Sequence, residues 1–281
     1  MPNELDPTEQ EERTAYPQLC ALLSDTLREL KAQVSFVHAK ADAPTNETKA
    51  QYAWCVALGV LTYDIAGSIT VLLASDRTRA GKILGRSLFE YQLRLEVYKN
   101  DPTEALADRE KASRELRRFL DGRPTGDLQP FDLSPEAIAD LERFMNEHAG
   151  KVRARNVWED IRRNNAGNDR QALFEYLNLY GYPSALAHGN GLIFYDVIRW
   201  DGSINRLAWR SEYLTRFLGL IESTTRTIRI LELIEQTAGL PNTHAAYWNR
   251  YGFIMRPYAE RFRAVVQRRT EGKPDSSGAQ P

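Results

Sequence analysis

The sequence predicts an all-α protein, a multi-helix bundle that carries one small β-hairpin. Three observations lead there. Apolar residues recur at helical spacing, as in Leu19, Leu22, Leu23, Leu27, Leu30, Val34 and Val37. Capping residues precede successive apolar runs. One stretch alone, LIFYDVIRW-DG-SINRLAW, has the β-branched and aromatic density of paired strands, set around the two-residue turn Asp201-Gly202.

The first helix is expected from about Pro7 to His38. ADAPTNET then turns the chain, with Thr45 or Asn46 as N-cap, and a second helix covers roughly residues 47 to 75. Asp76 is read as the cap of a third helix that runs to about Asn100. Asp101 caps a fourth, with Pro102 at its first position and Glu104 in its first turn. That fourth helix is densely charged (ADREKASRELRRFL) and belongs at the surface.

DGRPTGDLQPFDL is a loop by composition, and Ser134 reopens a helix after it. RRNNAGND interrupts the following helices near residue 165. The helix DRQALFEYLNLY stops at Gly181, and Pro183 starts a short helix that Gly189 closes. After the hairpin come two long helices, near 210–238 and 243–269. The expected organisation is an N-terminal helix (1–45), a bundle domain (46–269) with the hairpin near 192–209, and a disordered tail (270–281) rich in polar residues, Gly and Pro.

Lys and Arg total 37 against 38 Asp and Glu, so net charge exerts no general pull on nucleic acid or an anionic membrane. The cations are 29 Arg and only 8 Lys, which suits bidentate pairing with carboxylate or phosphate as well as surface ion pairs. Cys20 and Cys55 lie in apolar helical contexts without metal-like spacing, the pattern of free thiols in a reducing cytoplasm. The acidic start MPNELDPTEQEE has no apolar core of a signal peptide. Residues 54–74 are long and apolar enough to span a bilayer, but Asp64 stands mid-way, where a charge costs roughly 2.5–3.5 kcal/mol. A buried bundle helix is the expectation, with no membrane partner.

The stretch RSLFEYQLRLE poses the functional question. Arg86 and Glu90 sit one turn apart on a face shared with Ile83, Leu93 and Val97, so they should be partly buried and paired at i,i+4. Asp64 on the preceding helix should lie at a similar depth. The cluster is either a structural ion-pair network that fixes helix register or the lining of a polar pocket within the bundle. In YGYPSALAHGNG, Ser184 and His188 are also i,i+4. One helical turn does not aim a serine at an imidazole, and no GxSxG elbow is present, so a hydrolase triad is not read here.

RSLFE, followed roughly ninety residues later by YxxxSxxxHG, resembles a family of uncharacterised all-helical bacterial proteins, a domain of unknown function grouped with the HEPN-like (higher eukaryotes and prokaryotes nucleotide-binding) proteins. The resemblance spans about residues 50 to 235. It implies an all-α fold and a nucleotide or RNA phosphate as ligand, in a stress or phage-defence setting. The matching polar residues are Arg86, Glu90, Tyr180, Ser184 and His188. Of these Arg86, Glu90 and His188 are the catalytic candidates, and Tyr180 and Ser184, with Asp64, the binding candidates. An activity, if there is one, would be metal-independent and ribonuclease-like. The Arg-x(4–6)-His pattern of HEPN ribonucleases fits Arg143 and His148, but a chain with 29 Arg and 4 His offers such a spacing by chance. His188 has no Arg at those distances before it.

Phosphate-loop, dinucleotide, HExxH and EF-hand patterns are absent, and ExxH does not occur, so no cofactor or metal is expected. The aromatics near Arg250 and Arg256 read as packing rather than base stacking. The competing reading is a non-enzymatic interaction protein. Its polar cluster would be structural, and its hairpin and last two helices would form a homodimer face.

Overall fold

Helical periodicity governs the described residues, which form eight helices: α1 (Pro7–Ala39), α2 (Asn46–Ala74), α3 (Thr78–Asn100), α4 (Pro102–Asp121), α5 (Val157–Asn164), α6 (Asp169–Glu175), α7 (Tyr213–Ala238) and α8 (His244–Thr270). In this computed structural model those residues are 7–40, 45–75, 77–121, 157–166, 168–176 and 213–270, with Tyr180 and the single positions Glu136, Ala139, Arg143 and Asn146. The hairpin around Asp201-Gly202 and the tail from 271 lie outside them. Among the described residues there is no strand.

The starts and stops follow local chemistry. Thr45 caps α2, its hydroxyl accepting from the Thr48 amide at 3.2 Å. Asp101 precedes Pro102, and the Thr103 hydroxyl donates to its carboxylate at 2.6 Å. The sequence misplaces the start of α3. The residue before the helix is Arg77, which makes no side-chain cap bond, and Asp76 lies outside the described residues. Gly239, at φ +59, ends α7 in the left-handed region that favours glycine, and the Leu240 amide returns to the Glu235 carbonyl at 2.8 Å.

α1, α2, α3 and α7 pack on one another as a four-helix core. α4 lies across α2 and α3, α5 rests on α3 with α6 beside it, and α8 covers α1 and α7. The core is mostly aliphatic, with Leu23, Leu30, Leu58, Ile69, Leu88, Leu95, Leu231 and Ile234 buried around the aromatic Phe217 and Tyr98. At Gly59, α2 lies close against α1 and α7. A Cβ there would fall on the Val34 side chain and lie 3.2 Å from Ile234 Cδ1. A smaller cluster of Phe89, Leu93, Ile161 and Ala172 joins α3 to α5 and α6.

α2 departs from expectation. Its buried side is Cys55, Leu58, Gly59, Thr62, Ala66, Ile69 and Leu73. Asp64, expected near Arg86, is exposed. At about 100° per residue it stands some 200° round from both Thr62 and Ala66, which places it opposite the core. Val60, Leu61 and Val71 are exposed as well, so α2 is buried on one side rather than all round. Among the described residues α2 is the one helix long and apolar enough to cross a bilayer, and a third of its most apolar window is buried.

Candidate functional site

Arg86, Glu90 and Arg94 follow one another at intervals of four on α3, so they form a polar ridge along one edge of the helix. Arg86 Nε donates to Glu90 Oε1 at 2.8 Å, and the two side chains keep 21% and 27% of their surface exposed. Arg86 also reaches across to Tyr180. One terminal nitrogen donates to the phenol oxygen at 3.2 Å, and the guanidinium carbon lies 4.5 Å from the ring centroid. Tyr180 is held in turn by Tyr176, whose ring is 5.6 Å away, and Tyr176 stands edge-on to Trp158 at 5.3 Å. A guanidinium has five N–H donors. These contacts use two.

Glu90 opens onto a cleft of about 370 Å³ between four helices. α2 supplies Trp54, Leu58 and Leu61, α3 supplies Tyr91, Leu93 and Arg94, α4 supplies Asp108 and Lys111, and α5 supplies Val157 and Asp160. The indole N–H of Trp54 donates to the Ala105 carbonyl at 3.0 Å, which ties α4 to α2 and fixes this wall. At the Arg94 end the Tyr98 hydroxyl donates to Asp108 Oδ2 at 2.7 Å. Arg94 donates to the same hydroxyl at 3.3 Å and pairs with Asp108 at 3.4 Å.

The electrostatics are those of a half-buried polar lining. Burial, then the Asp108 carboxylate, pushes the Tyr98 phenol far above its ordinary value. Burial and the charge of Glu90 raise the Tyr91 phenol. Burial alone would lower the Arg94 guanidinium, but Tyr98, Asp108 and Glu90 hold it above its usual value. The cleft is therefore dipolar, with acids and bases interleaved, and its apolar wall is Trp54, Leu58 and Leu61.

Of the residues singled out by sequence, Arg86, Glu90 and Tyr180 come together. Asp64 does not join them. Ser184 and His188 lie outside the described residues, as does His148, while Arg143 is helical and exposed. Sequence reasoning passed over Arg94, Trp54, Asp108 and Lys111. Arg94 could have been found by extending the Arg86–Glu90 interval one more turn. Asp108 and Lys111 were concealed in a helix whose charges read as solvated.

A second polar network flanks the other side of α3. Arg226 lies 4.8 Å over the Phe89 ring and donates to Gln92 at 2.7 Å. Burial lowers its guanidinium, against the pull of Glu222, Glu175 and Glu96. Burial raises the Glu222 carboxyl. Glu96 accepts from Asn164 at 2.8 Å and from Arg229 at 3.1 Å. This network ties α3 to α5 and α7. Among the described residues no group of three His, Cys, Asp or Glu side chains could hold a metal ion. Comparison with known protein families, curated proteins and solved structures returns no match.

Proposed function

We propose that this chain is a HEPN-like, cytoplasmic helical protein that binds a nucleotide or the phosphate of RNA at the Arg86–Glu90–Tyr180 cluster and the cleft beside it. The observation that carries the reading is the exposure of the cluster. Glu90 lines an open cleft, and among the described residues the contacts of Arg86 use two of its five N–H donors, so the pair can still take a ligand. Arginine with free N–H groups, braced by a carboxylate and an aromatic ring, is suited to phosphate oxygens. The cleft is within the size range of small-ligand sites, and its aromatic and aliphatic wall suits a base. Ser184 and His188 follow Tyr180 closely in sequence and are proposed to complete the site, with His188 as the acid or base if the ligand is cleaved.

Protein purified without nuclease tests this. It should carry a nucleotide or short RNA, seen as a raised 260/280 nm absorbance ratio and identified by mass spectrometry. Arg86→Ala should purify without it. Clean wild-type protein that also fails to take up added nucleotide would end the proposal.

A second reading, a non-enzymatic interaction protein that self-associates, draws support from exposed apolar side chains. Phe253 on α8 is 79% exposed, and Val71 on α2 65%. A sedimentation series would show a concentration-dependent dimer that Phe253→Ser abolishes. In that reading the last two helices, with the hairpin expected around Asp201-Gly202, form the homodimer face.

A further inference from the structure

We infer that a second copy of this chain docks on the layer formed by α2, α1 and α8, with α2 of each copy lying on α8 of the other. This rests on the self-association reading above and moves its face to these three helices. α1 is the middle of the layer. Val34 of α1 meets α2 at Gly59, and Asp25 of α1 accepts from Arg250 of α8 at 2.9 Å. Nine residues separate Val34 from Asp25, which turns them to about opposite sides of the helix, so α2 and α8 flank α1 on either hand. Leu23 and Leu30 fill the side of α1 toward the core. The side left between α2 and α8 carries Pro17, Ala21, Ser24 and Arg28, all exposed.

Phe253 on α8 and Val71 on α2 are the two most exposed large apolar side chains among the described residues, and they stand at the same height. Val34 meets Gly59 while Lys31 lies over Tyr63, so α2 runs antiparallel to α1. Lys40 donates to the Ala238 carbonyl just before α8 starts, and Arg250 meets Asp25 further on, so α8 is antiparallel to α1 as well. Val71 is twelve residues beyond Gly59, and Phe253 is three beyond Arg250. Each is therefore level with about residue 22 of α1. A two-fold axis through α1 beside Ala21 sets Val71 of one copy on Phe253 of the other, twice. That is the self-complementarity an isologous contact needs. Charges at the rim balance, because Arg28 and Asp64, themselves level, come opposite the paired Arg256 and Glu260 of the copy. The stretch of α8 from His244 to Glu260 is about 25 Å long, and three helices side by side are about 28 Å wide. Their product, roughly 700 Å² per copy, is close to the about 800 Å² per partner of a standard interface.

Sedimentation and cysteine cross-linking of the full chain test this. The wild type should form a dimer as concentration rises. Val71→Asp and Phe253→Asp should each weaken it about tenfold or more while melting like the wild type, since both side chains are exposed. Under mild oxidation, Val71→Cys mixed with Phe253→Cys should give a covalent dimer on a non-reducing gel. Neither variant should do so alone, because the two-fold axis keeps like positions on opposite flanks. The wild type, with Cys55 buried and Cys20 half-buried, is the control. A dimer that Val71→Asp leaves intact, or Phe253→Cys that links to itself, would overturn this geometry and leave self-association standing. A wild-type chain that stays monomeric at every concentration would overturn both.

Discussion

Arg86 and Tyr180, 94 residues apart in the chain, meet with the guanidinium carbon over the ring, 4.5 Å from its centroid, and one N–H on the phenol oxygen at 3.2 Å. The contact joins α3 to Tyr180, which follows α6 in the chain. Tyr180→Phe keeps the ring and deletes the hydroxyl. It should cost about 1 kcal/mol in a urea melt, since the stack survives and one partly exposed hydrogen bond is lost. A loss above about 3 kcal/mol would mean that the hydroxyl anchors more of the fold than this contact.

Two glycines should respond in opposite directions to alanine. Gly59→Ala places a methyl group on Val34 and against Ile234, and overpacking of that kind costs about 1–3 kcal/mol. Gly85 on α3 has nothing within 4 Å of the position a Cβ would take. Gly85→Ala should therefore gain about 0.5–1 kcal/mol from helix propensity alone. Melting both variants beside the wild type checks the closeness of α1, α2 and α7, and equal effects would contradict it.

The Glu235 carboxylate locks the turn between α7 and α8. It is wholly buried, accepts from the Thr243 hydroxyl and the His244 amide, and lies 2.5 Å from His244 Nδ1. Glu235→Gln removes the charge from a site built of donors. A destabilisation of about 1–3 kcal/mol is expected in denaturant melts, and a neutral result would place the anchor of α8 elsewhere.

Burial pushes the Cys55 thiol up to about 12, from an ordinary value of 9.0. The unfolded chain releases that proton near pH 9 and the native protein holds it. The contribution to stability is therefore full below pH 9 and is lost as pH rises from there to about 12, by up to about 1.4 kcal/mol per pH unit. Cys55→Ala should lack this slope, so the stability difference between wild type and variant should drift with pH only above 9. At pH 8 Cys55 should resist alkylation until the protein unfolds.

Much of the helical skeleton was legible because its signals are local. Thr45 and Asp101 each announce a start, and the stripe Leu19, Leu22, Leu23, Leu27, Leu30, Val34 and Val37 announces the core face of α1. The pairing of Arg86 with Glu90 was legible for the same reason, since four residues is one turn. Asp64 was misjudged because overall apolarity was taken for burial. Counting round the helix from Thr62 would have turned it outward. The cleft was not legible. It exists because Trp54 fastens α4 across α2, and nothing local to either helix states that they touch. The meeting of Arg86 with Tyr180 was suggested only by a resemblance, for the spacing of 94 residues carries no periodic signal.

The central claim is that Arg86 serves a ligand rather than the fold, and nucleotide binding by Arg86→Ala, measured on protein whose urea melt is recorded in parallel, tests it most directly. Arg86 and Glu90 keep 21% and 27% of their surface exposed, so loss of the pair and the stack should cost about 1–2 kcal/mol. Affinity for a nucleoside monophosphate should fall at least tenfold while the fold survives. Unchanged affinity would contradict the claim, as would a loss of about 3–5 kcal/mol, the signature of a sealed structural pair, in a protein whose wild type binds no nucleotide.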